Sequence, residues 1–351
     1  MKRIILTILQ LAVTIAMLWW VFHDPAQRAK MWEALQMANY WWVAGSMLAY
    51  ATVEASAALR WQILLRVQKI HLSVPRVSGL FLIGMFYNQF LPGGTGGDII
   101  KSYLLLKETD KKAGALLAVV FDRLIGLVAL VTITVALVSL RFDWLWNTPV
   151  TVEAGGVTPR RLLLLLLFLL GTSLTGLIAS FVISGFNLFH WLPHKFPGRE
   201  KMIEISAAYH LYAHHWIATL MAFLVSLVAH LATFTTFLCV AYAFRAAVPV
   251  IDFFAVLPME RTITALPISF AGVGLREQIL QVLLSNLCHI DVAVAKLIGS
   301  MSFLIILFCS APGGIVYFFY RPSGEKGHVR IRDMQREVAT LEHELTEKEA
   351  E

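Results

Sequence analysis

The sequence predicts an all-α integral membrane protein with about six full transmembrane helices and two re-entrant hairpins, each broken by Pro and Gly, in an inverted-repeat arrangement. Three observations lead to this fold class. The 351 residues are 58% hydrophobic and only 15% charged, whereas soluble domains are about 25% charged, and the mean hydropathy is +0.69. Several apolar runs reach the roughly 20 residues that cross a bilayer. Two further apolar regions carry Pro and Gly near their middle.

The full crossings are predicted where mostly apolar residues continue for the thickness of the hydrocarbon core. They lie at residues 4–22, 40–59, 113–140, 162–184, 216–244 and 292–320. The first run follows a short basic start and could be a signal peptide. However, the pair Trp19 and Trp20 is typical of an interfacial anchor, and no small-residue cleavage site follows it, so we predict a retained span.

The two interrupted apolar regions are residues 77–107 and 251–288. The first contains Pro92 followed by four glycines before residue 98, and the second contains Pro267 followed by two glycines before residue 275. At membrane depth, irregular backbone persists only where protein buries it or where it lines a wet cavity. Each break therefore marks a candidate site. The glycine spacing matches neither a dinucleotide-binding motif nor a P-loop, which argues against a soluble nucleotide site.

Lysine and arginine predict the orientation, because short cytoplasmic loops collect them. The basic segments predicted to be cytoplasmic are Lys2 and Arg3, 60–76, 101–112, 195–201 and the chain from Arg321 onward. Residues 23–39, 141–161 and 245–250 would lie outside, and both termini would be cytoplasmic. The first hairpin would then enter from the cytoplasm and the second from outside. In an inverted repeat of this kind, the broken segments of the two halves form a transport site near the midplane.

Charged residues inside the predicted spans are the main candidates for a site. A charge at the centre of a span costs about 2.5 to 3.5 kcal/mol on insertion scales, so it needs a partner or a function. Arg123 could bind an anionic headgroup while Asp122 orients it or pairs with a neighbouring cation; alternatively, the two form a structural ion pair between helices. The pairs Glu260-Arg261 and Arg276-Glu277 flank the second break and allow the same two interpretations, although Arg276 could instead lie at the outer interface.

The first break adds further candidates with open alternatives. Asp98 could bind substrate or cap the second half-helix, and Lys101 could meet a phosphate or extend to the cytoplasmic surface. Asn88 could satisfy the broken backbone or contact substrate, and Glu54 in the second span could relay protons or join two helices. The predicted substrate-binding set is Asn88, Gly93, Gly94, Gly96, Gly97, Asp98, Lys101, Asp122, Arg123, Glu260, Arg261, Arg276 and Glu277.

The sequence gives little evidence of catalysis, metal binding, disulfide bonds or nucleic-acid binding. No Ser, His and acid combine into a catalytic set, no metal-ligand spacing occurs in the spans, and no soluble region is large enough for a nucleotide-linked donor, so we expect neither catalysis nor a cofactor. Histidines crowd residues 185–215, which we interpret as an interfacial helix rather than a metal site. Cys239, Cys288 and Cys309 are expected to be free thiols. The net charge of +6 suits an anionic lipid surface better than nucleic acid.

Two domains are predicted. Residues 1–322 form the membrane domain, and residues 323–351 form a charged cytoplasmic tail. Apolar residues between Ile331 and Leu345 repeat at three- and four-residue spacing, which fits either a solvated amphipathic helix or a dimer contact, since two heptads are too few to establish a coiled coil.

Several motifs in one order resemble a known family. They are the stretch from Asn88 to Asp98, the stretch from Phe121 to Gly126, the pair Arg60-Trp61, and the stretch from Pro267 to Glu277. Together they resemble the lysylphosphatidylglycerol synthase transmembrane-region family, also called flippase-like. The resemblance implies a bacterial or archaeal membrane protein. The best-understood members of this family move aminoacylated phospholipid between leaflets.

The resemblance implies a function with one alternative. Those members also carry a carboxy-terminal synthase domain, and because this chain ends in a short charged tail we expect no synthase activity. The expected function is a flippase-like transporter that moves a lipid with an anionic or aminoacylated headgroup across the bacterial inner membrane, with a second copy of the chain or a lipid-synthesis enzyme as further partners. The alternative is a membrane enzyme or accessory protein of polyprenyl-phosphate, glycolipid or hopanoid biosynthesis.

Overall fold

A computed structural model describes residues 23–90, 96–150, 157–185, 199–264 and 273–321, together with Trp19. These residues form a bundle of helices. In chain order the helices are α1 (Pro25–Gln36), α2 (Tyr40–Val67), α3 (Val74–Phe90), α4 (Gly96–Leu106), α5 (Lys112–Leu140), α6 (Phe142–Asn147), α7 (Pro159–Gly185), α8 (Arg199–His214), α9 (Trp216–Ala243), α10 (Val250–Thr264), α11 (Leu275–Leu287) and α12 (Val292–Phe319).

Four of the six predicted spans are confirmed as helices long and apolar enough to cross a membrane. They are α5, α7, α9 and α12, which correspond to the predicted runs 113–140, 162–184, 216–244 and 292–320. The predicted run 40–59 lies in α2, which has 28 residues and continues to Val67, but its second half carries polar side chains. The predicted first span and the tail from residue 323 lie outside the described residues.

The outer surface of the bundle is apolar. Large side chains such as Trp41 on α2, Phe168 on α7, and Phe308 and Phe319 on α12 are exposed. Soluble proteins rarely expose contiguous apolar area of this kind, and such surfaces mark contact with a membrane or a partner. The exposed apolar side chains therefore agree with the composition: the protein is a multi-pass helical membrane protein.

The first interrupted region folds into an antiparallel helical hairpin made of α3 and α4. Near the end of α3, Asn88 Oδ1 accepts a 2.8 Å hydrogen bond from the amide of Gly97 at the start of α4. At the far ends, Arg76 of α3 binds Glu108, just beyond α4, at 2.5 Å. With 17 and 11 residues, the helices are about 25 and 17 Å long, shorter than the hydrocarbon core of roughly 30 Å. The turn at residues 91–95 lies outside the described residues.

The second interrupted region forms another antiparallel hairpin, from α10 and α11. Glu260 near the end of α10 contacts Arg276 at the start of α11, with 3.4 Å between Oε1 and Nε. At the far ends, Asp252 and Cys288 are close enough to interact electrostatically. The helices have 15 and 13 residues, and the predicted break at 265–272 lies outside the described residues.

Helix α12 relates the two hairpins to each other. It starts at Val292, directly after the far end of the α10–α11 hairpin. It ends beside the far end of the α3–α4 hairpin, where the Tyr320 hydroxyl donates a 2.5 Å hydrogen bond to Glu108. The far end of each hairpin, opposite its turn, is its open end. The open ends of the two hairpins therefore lie at opposite ends of α12.

Glycines set the spacing around α3. A Cβ atom on Gly97 of α4 would lie 1.8 Å from the carbonyl oxygen of Gly84, and a Cβ on Gly313 of α12 would lie 2.0 Å from that of Leu82. Real Cβ atoms cannot approach so closely. Because small residues let helix backbones approach in membranes, these two positions fix α3 between α4 and α12.

Candidate functional site

A polar cavity of about 180 Å³ lies where α2, α3, α4, α5 and α9 meet. Its walls combine charged and neutral polar side chains from all of these helices. The polar residues that line it are Glu54, Arg60, Asn88, Asp98, Lys101, Asp122, Arg123, His230 and Thr233. Six of the residues predicted from the sequence therefore converge here, because the α3–α4 hairpin inserts beside α5.

Asp122 is the buried centre of the cavity. Its side chain is 2% exposed, and its Oδ1 accepts a 2.7 Å hydrogen bond from Nε of Arg60 on α2. Its Oδ2 lies 3.5 Å from Nζ of Lys101 on α4. Of the predicted roles for Asp122, the structure contains the pairing with a neighbouring cation. Asp122 does not pair with Arg123, because consecutive residues of a helix point in directions about 100° apart.

Arg123 instead forms an ion pair with Asp98 of α4. The side chain of Arg123 is 56% exposed, whereas that of Asp98 is 15% exposed. Asp98 also lies 3.6 Å from Nζ of Lys101, so one carboxylate contacts two cations. Arg123 is thus the accessible cation of the cavity.

Lys101 lies inside the cavity, and the alternative that it extends to the cytoplasmic surface is wrong. Its side chain is 3% exposed. The ammonium nitrogen lies 4.5 Å from the centre of the Trp61 ring and 5.3 Å from that of Phe81. Cation–π contacts of this kind stabilise a desolvated cation by roughly 2 kcal/mol. Aromatic faces and two carboxylates therefore hold the charge of Lys101 away from water.

The first break supplies backbone as well as side chains. Gly96 and Gly97 are buried at the start of α4, and the contact of Asn88 with the Gly97 amide satisfies a free helix-end donor, as one of the two sequence interpretations expected. Asp98 lies in the first turn of α4, where a negative charge is favoured by the helix dipole. Gly93 and Gly94 lie outside the described residues.

Three polar residues of the cavity were missed by sequence reasoning, namely Thr233 and the two ionisable residues Arg60 and His230. Arg60 was assigned to a cytoplasmic basic segment, but its side chain is 12% exposed inside the bundle and its Nη1 donates a 3.1 Å hydrogen bond to Ser226 of α9. His230 of α9 lies with Nε2 3.1 Å from the carbonyl oxygen of Gly126, to which it donates. Both were detectable in principle, because an ionisable residue within a span is costly unless it is functional or paired.

The second hairpin carries a separate charged cluster. Glu260 is fully buried, and its carboxylate lies 3.4 Å from Nε of Arg276 and 3.9 Å from Nε of Arg261. The Thr264 hydroxyl donates to it at 3.1 Å. Arg276 is 6% exposed, so its side chain is buried inside the bundle beside Glu260.

Glu277 has a local structural role. Its Oε2 accepts a 2.7 Å hydrogen bond from the amide of Gly274, and its Oε1 lies 3.4 Å from the Ser300 hydroxyl. This is the reciprocal half of a capping box at the start of α11. Gly274 has a φ of 82°, a conformation that glycine adopts without a steric penalty.

Buried Tyr50 on α2 and His230 on α9 each lie within electrostatic range of groups from both charged clusters. Tyr50 of α2 is 3% exposed and interacts electrostatically with both Glu54 and Arg261. His230 of α9 interacts electrostatically with Arg261 and also with Arg60. Tyr50 and His230 therefore lie between the cavity and Arg261 of the second hairpin.

A helical bundle with exposed apolar sides and a charged cavity inside it defines a polytopic membrane protein with a buried polar site. The family comparison agrees with this class. The chain belongs to the family described as Lysylphosphatidylglycerol synthase TM region, whose model matches residues 7–313. No curated protein and no solved structure matches the chain. Within the described segments, no group of three or more His, Cys, Asp and Glu side chains is arranged to hold a metal ion.

Proposed function

We propose that this protein is a flippase-like transporter that moves a lipid with an anionic or aminoacylated headgroup across the bacterial inner membrane. One observation carries the proposal: the cavity inside the helical bundle holds the cations Arg60, Lys101 and Arg123, and Arg123 is more than half exposed. Both termini are proposed to be cytoplasmic, in accordance with the distribution of basic residues.

The chemistry of the cavity suits a lipid phosphate. Moving a charged headgroup through hydrocarbon is expensive because hydrogen bonds to water are lost. Arg123 can replace those bonds with two parallel donors, which is the geometry that phosphate oxygens accept. The guanidinium of Arg123 is paired with the carboxylate of Asp98. An entering phosphate would compete with Asp98 for Arg123. The acyl chains can stay in the bilayer, so a cavity of about 180 Å³ needs to hold only the polar end.

The arrangement of the hairpins supports transport rather than simple binding. Hairpins that open toward opposite ends of α12 would enter the membrane from opposite faces as re-entrant segments. This is the inverted-repeat pattern in which two half-sites meet near the midplane and are exposed alternately. His230 of the cavity lies within electrostatic range of Arg261 on the second hairpin, which supports the proposal that the two half-sites meet.

The experiment is a leaflet-specific transport assay in proteoliposomes. The probe is phosphatidylglycerol with a fluorescent nitrobenzoxadiazole group on one acyl chain, and dithionite bleaches only the outer leaflet. Wild-type protein is expected to make the whole probe population accessible to dithionite with time, whereas in protein-free vesicles the probe of the inner leaflet stays protected. A lysyl-phosphatidylglycerol probe of the same design compares aminoacylated with anionic headgroups.

The matched variants are Arg123→Ala, Arg123→Lys and the exposed control Arg28→Ala on α1. We expect Arg123→Ala to abolish transport while remaining folded, and Arg123→Lys to recover only part of the rate, because an ammonium cannot reproduce a bidentate grip on phosphate. The control should transport at the wild-type rate. Normal transport by Arg123→Ala would exclude the headgroup role of this cavity.

A further inference from the structure

Glu54 is a carboxylate of the cavity that takes part in none of the ion pairs described above. Glu54 lines the cavity from α2 and is 9% exposed. Its Oε1 is buried without a hydrogen-bond partner. The cations of the cavity are bound by Asp98 and Asp122 instead. Among the described residues, no ion pair joins Glu54 to a cation, although it lies in the same cavity as three cations.

The formal charge of the cavity depends on whether Glu54 carries a proton. Its three cations are opposed by Asp98 and Asp122, so with a protonated Glu54 and a neutral His230 the charge is three minus two, or +1. An ionised Glu54 brings the charge to zero. A carboxylate buried without a partner is costly and is relieved by binding a proton. The protonated state therefore favours entry of an anion, and the ionised state favours its release.

Titratable and charged groups face Glu54 from every side of the cavity. Tyr50, one turn earlier on α2, and Cys309 on α12 interact with it electrostatically. The remaining groups are Arg60 on α2, Asp98 and Lys101 on α4, Asp122 and Arg123 on α5, His230 on α9 and Arg261 beyond Tyr50 on α10, while α3 contributes the uncharged Asn88. Apart from Glu54, each carboxylate in this set is held by a cation.

We propose that Glu54 carries one proton across the membrane together with each anionic headgroup. This inference rests on the proposed function. Glu54 takes the proton from water on the side where the headgroup enters, which keeps the carboxyl neutral and the cavity positive. On the opposite side the O–H bond breaks, the proton passes to water, and the ionised Glu54 helps to release the anion. The positive and negative charges cancel, so transport is electroneutral.

The test applies a pH gradient to proteoliposomes that contain the fluorescent phosphatidylglycerol probe. With the outside more acidic by one pH unit, cotransport of one proton should enrich the probe about tenfold in the inner leaflet, because one unit corresponds to about 1.4 kcal/mol per proton. A potassium diffusion potential set with valinomycin should leave the leaflet ratio unchanged, since no net charge moves.

Three variants isolate the role of Glu54. Glu54→Gln cannot exchange a proton and is expected to keep the leaflet ratio at one under the gradient, whereas Glu54→Asp should retain the enrichment. Glu33→Gln changes an exposed carboxylate on α1 and is the matched control, expected to behave as wild type. Size-exclusion chromatography of each variant in detergent checks that it is folded.

The outcomes separate the proton inference from the transport function. If wild-type protein equilibrates the probe but the ratio stays at one under the gradient, proton cotransport is overturned and transport stands. If wild-type protein moves no probe, the proposed function fails for this headgroup, and calorimetry in buffers of different ionisation enthalpy tests Glu54 by itself. At a pH alkaline enough to ionise Glu54 in the empty cavity, binding of phosphatidylglycerol should then take up about one proton in wild type and none in Glu54→Gln, by the stoichiometry of linkage. Absence of proton uptake by wild type overturns the inference.

Discussion

At the scale of single residues, the cavity is stabilised by charges that are paired between helices. Asp122 binds Arg60 of α2 and Lys101 of α4, so one carboxylate joins three helices. Breaking a buried pair by removing one member leaves an uncompensated charge, whereas replacing both members by apolar residues removes the desolvation cost as well. The two kinds of substitution should therefore differ in stability.

We predict that Asp122→Asn lowers the free energy of unfolding by about 3 to 5 kcal/mol, because Arg60 loses its carboxylate in a buried site. The double variant Arg60→Met, Asp122→Leu should recover most of this loss, as an apolar pair of similar volume needs no partner. Thermal unfolding of the purified variants in one detergent measures both effects.

The control for this prediction is the exposed ion pair between Lys30 and Asp291, whose nitrogen and oxygen are 3.5 Å apart. Lys30→Ala should change the stability by less than about 1 kcal/mol, as is usual for exposed pairs. Equal losses in Asp122→Asn and the double variant would show that the Arg60–Asp122 pair contributes no more than its packing.

At the scale of elements, the position of α3 depends on the absence of side chains at its contacts. Gly97 and Gly313 bring the backbones of α4 and α12 against α3. This contact places Asn88 and the cavity wall of α3 opposite α5. A methyl group at either contact must push two helices apart.

We predict that Gly97→Ala and Gly313→Ala each destabilise the protein by about 1 to 3 kcal/mol, the usual cost of overpacking a tight contact. They should also reduce transport, since the cavity wall moves with α3. Gly171→Ala on α7 is the matched control, because nothing lies within 4 Å of its added Cβ. It should be neutral or slightly stabilising, as Ala favours helix over Gly by about 1 kcal/mol. Thermal unfolding tests the series, and unchanged stability in both tight-contact variants would refute it.

At the scale of the whole molecule, the orientation of the two hairpins follows from their contacts with α12. The far end of the first hairpin is joined to the end of α12 by Arg76, Glu108 and Tyr320. The far end of the second lies at the opposite end of α12. If α12 crosses the membrane once, the hairpins open on opposite faces.

This orientation predicts the accessibility of single cysteines. In a background without Cys239, Cys288 and Cys309, exposed positions His71 and Asp110 should react with a membrane-impermeant maleimide only after cells are permeabilised. The exposed position Ala247 should react in intact cells. The physical reason is that α3 and α4, if they form a re-entrant hairpin, return to the face from which they enter.

Two labelling results would contradict the orientation. Reaction of His71→Cys and Asp110→Cys on different faces would turn the α3–α4 hairpin into a full crossing. Reaction of Ala247→Cys on the same face as His71→Cys would remove the opposition of the two hairpins. An exposed cysteine at Glu33 on α1 serves as a second external marker, since residues 23–39 are predicted to lie outside.

The class of protein, four spans and the position of the interrupted regions were predictable from the amino-acid sequence. These features depend on local quantities: the length of an apolar run fixes whether a helix can cross the bilayer, and Pro and Gly fix where it cannot continue. Pro and Gly in the stretches 91–95 and 265–272 predicted that helices end and begin there. The helices on either side of both stretches end and begin close to the predicted positions. The sequence also identified Asp98, Lys101, Asp122 and Arg123 as costly charges that need partners.

Which charges pair could not be predicted from the sequence and became evident from the packing of the helices. Arg60 and Asp122 are 62 residues apart in the chain, and Arg123 meets Asp98 across 25 residues, although Arg123 is adjacent to Asp122 in sequence. Partner choice depends on the direction in which each helix face points and on which helices pack together, and neither is encoded in local periodicity. For the same reason the sequence did not reveal that His230 joins the cavity, or that Glu54 is the carboxylate left without a cation in it.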